Sequence, residues 1–130
     1  MILFGVEADP SAHSDGAKAA REFFLHLAPG SDIEADEEAR AYAEEIAAGV
    51  VSEQQKIDAL IRTASTHWRL ERMSRVDRNV LRVGSWELLH AVPRGVAIDE
   101  AVELGKKFGT ESSGAFVNGV LSQVADIIAR

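Results

Sequence analysis

Apolar residues recur at steps of three and four between Ser74 and His90, and no proline interrupts this stretch. Such spacing places side chains on one face of an α-helix. The face consists of Val76, Val80, Val83 or Gly84, and Leu88. The pattern therefore predicts a helix whose apolar face belongs to the core.

Two more helices are predicted after this one. Pro93 and Gly95 end the first helix, and the next begins near Asp99 and ends at Phe108 and Gly109, because proline and glycine disfavour a continuing helix. The last helix carries apolar residues at helical spacing, namely Phe116, Val120, Val124 and Ile127.

Two glycines lie inside these predicted helices, Gly84 and Gly119. A glycine within a helix costs roughly 1 kcal/mol relative to alanine. Each is therefore predicted to mark a point where another helix, or a partner, approaches closely, and close helix packing is favoured.

The first half of the chain is also predicted to be helical. One helix runs from Ser11 or Ser14 to Leu27 and ends before Pro29. A second helix begins at the acidic residues 36–38 and carries Tyr42, Ile46 and Val50. Ser52 and Gln55 have the spacing of a capping box, which predicts the start of another amphipathic helix with Ile57, Leu60 and Ile61. The apolar side of the first of these helices consists of Ala20, Phe23, Phe24 and Leu27.

Residues 2–6 form a short apolar segment that Asp9 and Pro10 end. Five residues are too few for a stable isolated helix, which needs about 12–15. The segment is either the last turn of a longer helix or a loose end that packs onto the core.

Arginines follow the same helical spacing on another side of the helix that begins near Ser74. Arg75, Arg78 and Arg82 are predicted to form a column, which Arg72 extends by one turn. Guanidinium groups can bind phosphates or carboxylates through paired hydrogen bonds. The alternative is a set of surface salt bridges, because Glu71 and Asp77 lie nearby in the sequence.

Composition limits the classes of protein to consider. With 130 residues, 46% of them hydrophobic and 27% charged, the chain is long enough for one globular domain with a core. No apolar run reaches the roughly 20 residues that span a bilayer, and residues 1–6 lack the features of a signal peptide. We therefore expect a cytoplasmic protein without a membrane partner. The absence of cysteine excludes disulfides and thiolate chemistry.

Charge is distributed unevenly along the chain. The net charge is −7, which argues against broad, unspecific binding of nucleic acid. Residues 1–65 carry a net charge of −8, residues 66–130 a net charge of +1, and residues 66–82 alone a net charge of +3. A local positive patch on an acidic protein is therefore predicted.

Motifs that carry enzymatic chemistry are sparse. The four histidines form no pair at helical spacing, and neither a dinucleotide-binding nor a Walker-type glycine loop is present. We therefore expect no enzymatic activity, no metal site and no cofactor, and favour a binding protein. Trp68 and Trp86 are both predicted to be packing residues, because a tryptophan between helices is more often buried than a platform for bases.

The second half of the chain contains an ordered set of motifs, namely Trp68 to Arg72, Val76 to Arg82, Trp86 to Leu88, Pro93 and Val96 to Leu104, Lys107 to Gly109, and Phe116 to Leu121. This set, with its spacings, resembles the NusB family of transcription antitermination factors. The resemblance implies an all-α fold of two small packed helical bundles with about six to seven helices. It implies one NusB-like domain, with subdomains at residues 1–65 and 66–130.

This resemblance also implies a function. Proteins of the family pair with a small-subunit ribosomal protein, NusE, bind the boxA element of ribosomal RNA leaders, and help RNA polymerase to read past terminators. By residue matching, Glu71 and Phe116 fall near RNA-binding positions, and Ser112 lies beside them. Phe4 and Asp77 fall at positions that face the protein partner. We further assign Arg72 and Arg75 of the column to RNA and Arg78 to the partner.

Some alternatives remain open at this stage. The arginine-rich segment that starts the first helix in the family is absent before Leu3 and Phe4, so either it lies upstream of Met1 or this RNA contact has been lost. In the second case the protein would be a NusB-like scaffold that binds proteins only. A more remote alternative is the NusB-like domain that precedes the catalytic domain in some ribosomal RNA cytosine methyltransferases. The length of 130 residues disfavours this alternative. We expect a monomer or a weak homodimer, and a structural role for Arg82 in holding a carboxylate between helices.

Overall fold

The computed structural model describes residues 18, 20–22, 25 and 37–130. All regular secondary structure in these ranges is helical, as the sequence predicted. Residues 18, 20–22 and 25 are helical. The helices that follow are α1 (Glu37–Ser52), α2 (Gln54–Ala64), a 3₁₀ turn (Leu70–Arg72), α3 (Arg75–Leu89), α4 (Arg94–Phe108) and α5 (Ser113–Ala129).

Helix α5 lies at the centre of the described packing. It contacts α4 most extensively and also packs against α3 and α2, while α1 packs against α3 and α2. One apolar cluster joins all five helices, so the helices bury their apolar faces against a shared core. Representative members are Ile46, Ile57, Val80, Leu104 and Leu121. The predicted division at residue 65 stays a prediction.

Helix α3 occupies the predicted span. Ser74 caps its first turn, since the Ser74 hydroxyl oxygen accepts a hydrogen bond from the backbone N–H of Asp77 at 3.1 Å. At the other end Ala91 adopts a left-handed conformation with φ of 67°, and the N–H of Val92 bonds back to the carbonyl of Glu87 at 3.0 Å. The helix ends there because the chain reverses before Pro93.

Two predicted helix starts are wrong. Helix α4 begins at Arg94, with Pro93 at its N-cap, so Gly95 lies in the first turn and does not break a helix. Proline is tolerated at the beginning of a helix, where its missing N–H has no partner to lose. The capping box at Ser52 is also absent, because Ser52 is the last residue of α1 and its hydroxyl donates to the carbonyl of Gly49. Only Glu53 separates α1 from α2.

The two helical glycines have different surroundings. A Cβ atom at Gly84 would lie 2.6 Å from Cδ1 of Leu121, so α3 and α5 approach closely at this point, as predicted. A Cβ atom at Gly119 would meet nothing within 4 Å. No described helix approaches Gly119, which lies on the exposed side of α5, so close helix packing is wrong for this residue, while the approach of a partner there stays a prediction.

Buried charges join the helices at two places. The guanidinium of Arg21 donates to both carboxylate oxygens of Glu87, with a shortest distance of 2.8 Å, and the hydroxyl of Tyr42 donates to Glu87 at 2.7 Å. Burial and the Glu87 carboxylate raise the pKa of Tyr42 well above its usual value, so this hydroxyl stays a donor. Arg82 of α3 donates two hydrogen bonds to Asp58 of α2, at 2.9 and 3.0 Å. The predicted structural role of Arg82 is confirmed.

Phe4 lies outside the described residues, as do the predicted helix start at Ser11 or Ser14 and the residues Phe23, Phe24 and Leu27. Ala20, which was predicted on the apolar side of the same helix, is fully buried.

Candidate functional site

The arginine column does not act as one unit. Arg82 is bound to Asp58, and Arg78 is half-buried, with its guanidinium donating to the backbone carbonyl of Met73 at 3.4 Å. Arg72 lies in the 3₁₀ turn, whose C-cap is Met73, and α3 begins only after Ser74, its N-cap. Arg75, Arg78 and Arg82 all lie on α3, as predicted, but the extension of the column by Arg72 is wrong, because Arg72 belongs to the turn before the helix.

Two of these arginines remain available for a ligand. Arg72 and Arg75 are exposed, and neither forms an ion pair or a side-chain hydrogen bond with the described part of the chain. The salt-bridge alternative fails for them, because Glu71 accepts its hydrogen bond from Arg62 at 3.0 Å. They supply unpaired positive charge on a protein whose net charge is −7.

Glu71 is exposed and lies in the same 3₁₀ turn as Arg72. A hydrogen bond from its own backbone N–H, together with the bond from Arg62, lowers the pKa of this carboxyl group. Glu71 therefore stays ionised at neutral pH and can accept further hydrogen bonds, for example from the exocyclic amino groups of nucleobases.

The rings of Trp68 and Phe116 lie against each other. Their centroids are 6.0 Å apart and their planes make an angle of 79°, which is the edge-to-face arrangement that aromatic pairs favour. Phe116 is half-buried, whereas Trp68 is 64% exposed. The prediction that Trp68 is a packing residue is therefore wrong, and the same prediction for Trp86, which is 1% exposed, is confirmed.

The first turn of α5 has no side-chain cap. Ser112 occupies the N-cap with φ of −92° and ψ of −3°, a helical conformation in which its hydroxyl makes no capping bond. The hydroxyl lies 3.3 Å from that of Thr110, while the hydroxyl of Ser113 accepts from the N–H of Thr110. The N–H of Ser113 bonds to the carbonyl of Thr110 at 3.1 Å, so the other N–H groups of the first turn can receive an acceptor from outside, and Phe116 follows one turn later.

The predicted partner-binding residues lie at the start of α3. Asp77 is in the first turn, where a carboxylate is favoured by the helix dipole. Its Oδ1 atom is buried and has no hydrogen-bond partner among the described residues. The side chain as a whole is half-buried, so its accessible part can receive a donor that a partner brings. Arg78 follows it directly.

The structure brings together Trp68, Phe116 and, one turn away, Ser112, and it places Glu71 and Arg72 a few residues beyond Trp68. Arg75 follows at the first residue of α3. Asp77 and Arg78 lie further along that helix. Sequence reasoning missed Trp68 as a surface residue, although its place at the head of an arginine-rich stretch was a signal for it.

The described residues contain no cluster of three or more histidine, aspartate or glutamate side chains that could hold a metal ion. None of the helices in the described ranges is long and apolar enough to cross a membrane.

Comparisons with known proteins agree on one family. The model of the NusB family matches residues 1–126. The transcription antitermination protein NusB of Sorangium cellulosum (strain So ce56) is 51% identical over 132 residues, which cover 100% of this chain and 88% of that protein.

Solved structures give the same result. A structure of NusB from T. maritima is 35% identical, with a TM-score of 0.70, over 88% of this chain and 89% of that one. A crystal structure of antitermination factors NusB and NusE in complex with dsRNA contains a chain that is 26% identical, with a TM-score of 0.73, over 88% of this chain and 98% of that one. The family model covers the whole stretch from Trp68 to Phe116 that carries the aromatic pair and the exposed arginines, and this chain belongs to the NusB family.

Proposed function

We propose that this protein is a transcription antitermination factor that acts in the cytoplasm and binds boxA-type RNA of ribosomal RNA leaders together with NusE. In this role it is a component of the antitermination complex of RNA polymerase and binds its ligands without catalysing a reaction. The observation that carries the proposal is the match of 88% of the chain to a NusB chain from a complex with NusE and dsRNA. The relatives are named antitermination proteins, which disfavours the methyltransferase domain.

The surface around Phe116 supports RNA binding. Phe116 provides an aromatic ring beside the uncapped first turn of α5, where backbone N–H groups and Ser112 can receive a phosphate or a base edge. Arg72 and Arg75 provide positive charge that no described carboxylate neutralises. Glu71 adds an ionised acceptor for base amino groups. We therefore assign Glu71, Arg72, Arg75, Ser112 and Phe116 to RNA.

The start of α3 supports binding of the protein partner. The Asp77 carboxylate lies half-buried in the first turn of α3, where it can accept a charge-assisted hydrogen bond from a cationic side chain of the partner. Arg78 adds a positive charge beside it. We assign Asp77 and Arg78, together with Phe4, to the contact with NusE.

A protein-binding scaffold is the alternative function. The net charge of −8 on residues 1–65 favours it, because this half would repel RNA. The two functions differ in one observable property, which is sequence-specific RNA affinity in the presence of NusE.

Fluorescence anisotropy with a labelled single-stranded boxA RNA tests the proposal, with a scrambled RNA and a duplex of the same length as comparisons. The double variant Arg72→Glu with Arg75→Glu should weaken boxA binding at least tenfold and reduce the salt slope by about 1.4, since two phosphate contacts contribute about 0.7 each on a single strand. The matched control is Arg40→Glu with Lys56→Glu, which makes the same charge change on exposed residues of α1 and α2.

Equal losses in the two double variants would mean that only overall charge matters and would remove Arg72 and Arg75 from the site. Equal affinity of the unaltered protein and NusE for boxA and scrambled RNA would establish the scaffold function instead.

Calorimetry without RNA tests the partner surface. Asp77→Ala should weaken NusE binding by about 10- to 100-fold, the effect of losing a hydrogen bond to a charged group. Asp99→Ala removes an exposed carboxylate from the first half of α4 and should leave NusE affinity unchanged. Similar NusE affinity for the two variants would show that Asp77 lies outside the interface.

A further inference from the structure

Trp68 is a large aromatic residue left exposed in a protein that has a well-packed core. Only it and Val51 are exposed large hydrophobic residues in the described part of the chain, at 64% and 72%. Exposing this much indole forgoes the free energy that its burial would provide. A ligand that covers the ring would recover it.

The backbone holds Trp68 in a defined place. Ser65, which ends α2, accepts a hydrogen bond at its carbonyl from the N–H of Trp68 at 3.0 Å, and its hydroxyl lies 3.2 Å from the carbonyl of Trp68. Ser65 is buried, and its hydroxyl also donates to the carbonyl of Ile61 at 2.7 Å. The turn is therefore anchored to α2, and the ring of Phe116 supports the indole from one side at 6.0 Å.

The charges beside the indole select the kind of ligand. Arg69 follows Trp68 directly, and Arg72 and Arg75 follow at the next turns without a partner among the described residues. The nearest carboxylate in the sequence, Glu71, is bonded to Arg62. An exposed aromatic ring followed in the chain by exposed arginines fits unpaired nucleotides, because a base can stack on the ring while its phosphate binds a guanidinium.

We propose that Trp68 is a base-stacking residue, and that Trp68 and Phe116 together form a platform that holds an unpaired base of the RNA. The inference rests on the proposed function and adds to it a residue and a mode of contact. A duplex cannot use the platform unless a base leaves its stack, so the platform favours single-stranded RNA.

Substitution of Trp68 tests this platform. With NusE present, Trp68→Ala should bind boxA RNA about 5- to 100-fold more weakly, the fold-change expected for losing one stacked base. Trp68→Phe should retain most of the affinity, because phenylalanine keeps a stacking ring. Val51→Ala removes the other exposed hydrophobic side chain and should leave the affinity unchanged. Circular dichroism and urea unfolding should be unaffected, since Trp68 is mostly exposed.

Tryptophan fluorescence gives an independent measurement. Trp86 is buried, so quenching of emission by single-stranded boxA RNA should come from Trp68 and should be absent in Trp68→Phe. A series of boxA RNAs, each lacking one base, then identifies the stacked base. The RNA that lacks this base should bind the unaltered protein more weakly than full boxA RNA does. It should bind Trp68→Ala as tightly as full boxA RNA does, because the two changes remove the same contact.

Three results would overturn the inference, and they differ in what they leave standing. Specific RNA binding with no effect of Trp68→Ala and no quenching would remove the platform and leave the proposed function intact. A loss of NusE affinity in Trp68→Ala without RNA would assign this surface to the protein partner. Failure of the unaltered protein with NusE to prefer boxA RNA would overturn both the platform and the proposed function.

Discussion

The protein contains two tryptophans in opposite surroundings. Trp86, on the inner face of α3, is 1% exposed and stacks on His90 with ring centroids 4.6 Å apart. Trp68, on the outer surface beside Phe116, is 64% exposed and has one described ring contact. The inner face is the side of α3 and α5 that packs against the other helices, and the outer surface consists of Trp68, Phe116, Arg72, Arg75 and Gly119. The same residue type stabilises the fold on one side and offers a binding surface on the other.

Arginines show the same contrast. Arg21 is 1% exposed and is bound to Glu87, and Arg82 is bound to Asp58 through two hydrogen bonds. Arg72 and Arg75 on the outer surface have no such partner within the described residues. A buried charge requires a counter-charge, whereas an exposed one is solvated by water and can exchange that water for a ligand. The contrast therefore separates arginines that hold helices together from arginines that can bind.

The largest effect is expected from removing the buried carboxylate of the inner face. Glu87→Ala removes the hydrogen-bonded counter-ion of the buried Arg21, which then keeps, among the described residues, only the Glu100 carboxylate at 3.7 Å, and leaves Tyr42 without its acceptor. We expect the free energy of unfolding to fall by about 3–5 kcal/mol. Urea unfolding measures this, with Glu44→Ala on the exposed side of α1 as the control, for which the change should stay within about 0.5 kcal/mol. A small loss for Glu87→Ala would contradict the contrast between the two regions.

A smaller loss is expected at the partly exposed pair between α2 and α3. Arg82→Ala removes both hydrogen bonds to Asp58 and should lower the free energy of unfolding by about 1.5–3 kcal/mol. Arg75→Ala, on the same helix but on the outer surface, should change it by less than about 0.5 kcal/mol while weakening RNA binding. If the two variants were equally stable, the arginines would not differ in their structural role.

The two helical glycines should respond with opposite sign to the same substitution. Gly84→Ala places a methyl group against Leu121 in the core, and overpacking of about 1–3 kcal/mol exceeds the gain in helix propensity. Gly119→Ala places it in open space and should stabilise the protein by about 0.4–1 kcal/mol. Thermal unfolding of both variants measures the difference, and a shift of the same sign in both would contradict it.

The smallest effect concerns the exposed pair of Glu71 and Arg62. Hydrogen bonds lower the pKa of Glu71 in the folded protein below its pKa in the unfolded chain. The ionised carboxylate therefore stabilises the fold at pH values above the unfolded-state pKa. This stabilisation is lost as the pH falls through the folded-state pKa. Glu71→Gln should therefore lower the unfolding temperature slightly at about pH 7, and the difference should disappear towards about pH 2. A difference that does not depend on pH would show that the carboxylate charge makes no contribution.

Local patterns predicted most of the fold. The spans of α3 and of the last helix follow from hydrophobic spacing and from caps such as Ser74, which depend on neighbours within a few residues. The wrong helix boundaries occurred at residues whose type is compatible with more than one position in a helix. Pro93 begins a helix as readily as it ends one, and Ser52 could cap α2 only if α1 ended before it.

The candidate site was harder to predict. Arg72, Arg75 and Phe116 could be named from spacing and family resemblance. Nothing in the sequence shows that Arg78 bonds to a carbonyl, and the one signal that Trp68 is exposed was its place at the head of an arginine-rich stretch. Those outcomes depend on residues distant in the chain. The ring of Phe116, 48 positions after Trp68, supports the indole.

The sequence by itself determined that this chain forms helices, which of their faces are apolar, and that it belongs with proteins that bind other macromolecules. Hydrophobic periodicity encodes the helices and their apolar faces, because each turn of a helix samples only its near neighbours, whereas the ordered motifs carry the family resemblance. The tertiary structure alone decided which of two tryptophans is covered, which of two glycines is crowded, and which arginines stay unpaired. Exposure and pairing depend on how separate helices meet, and that arrangement is a property of the packed core as a whole.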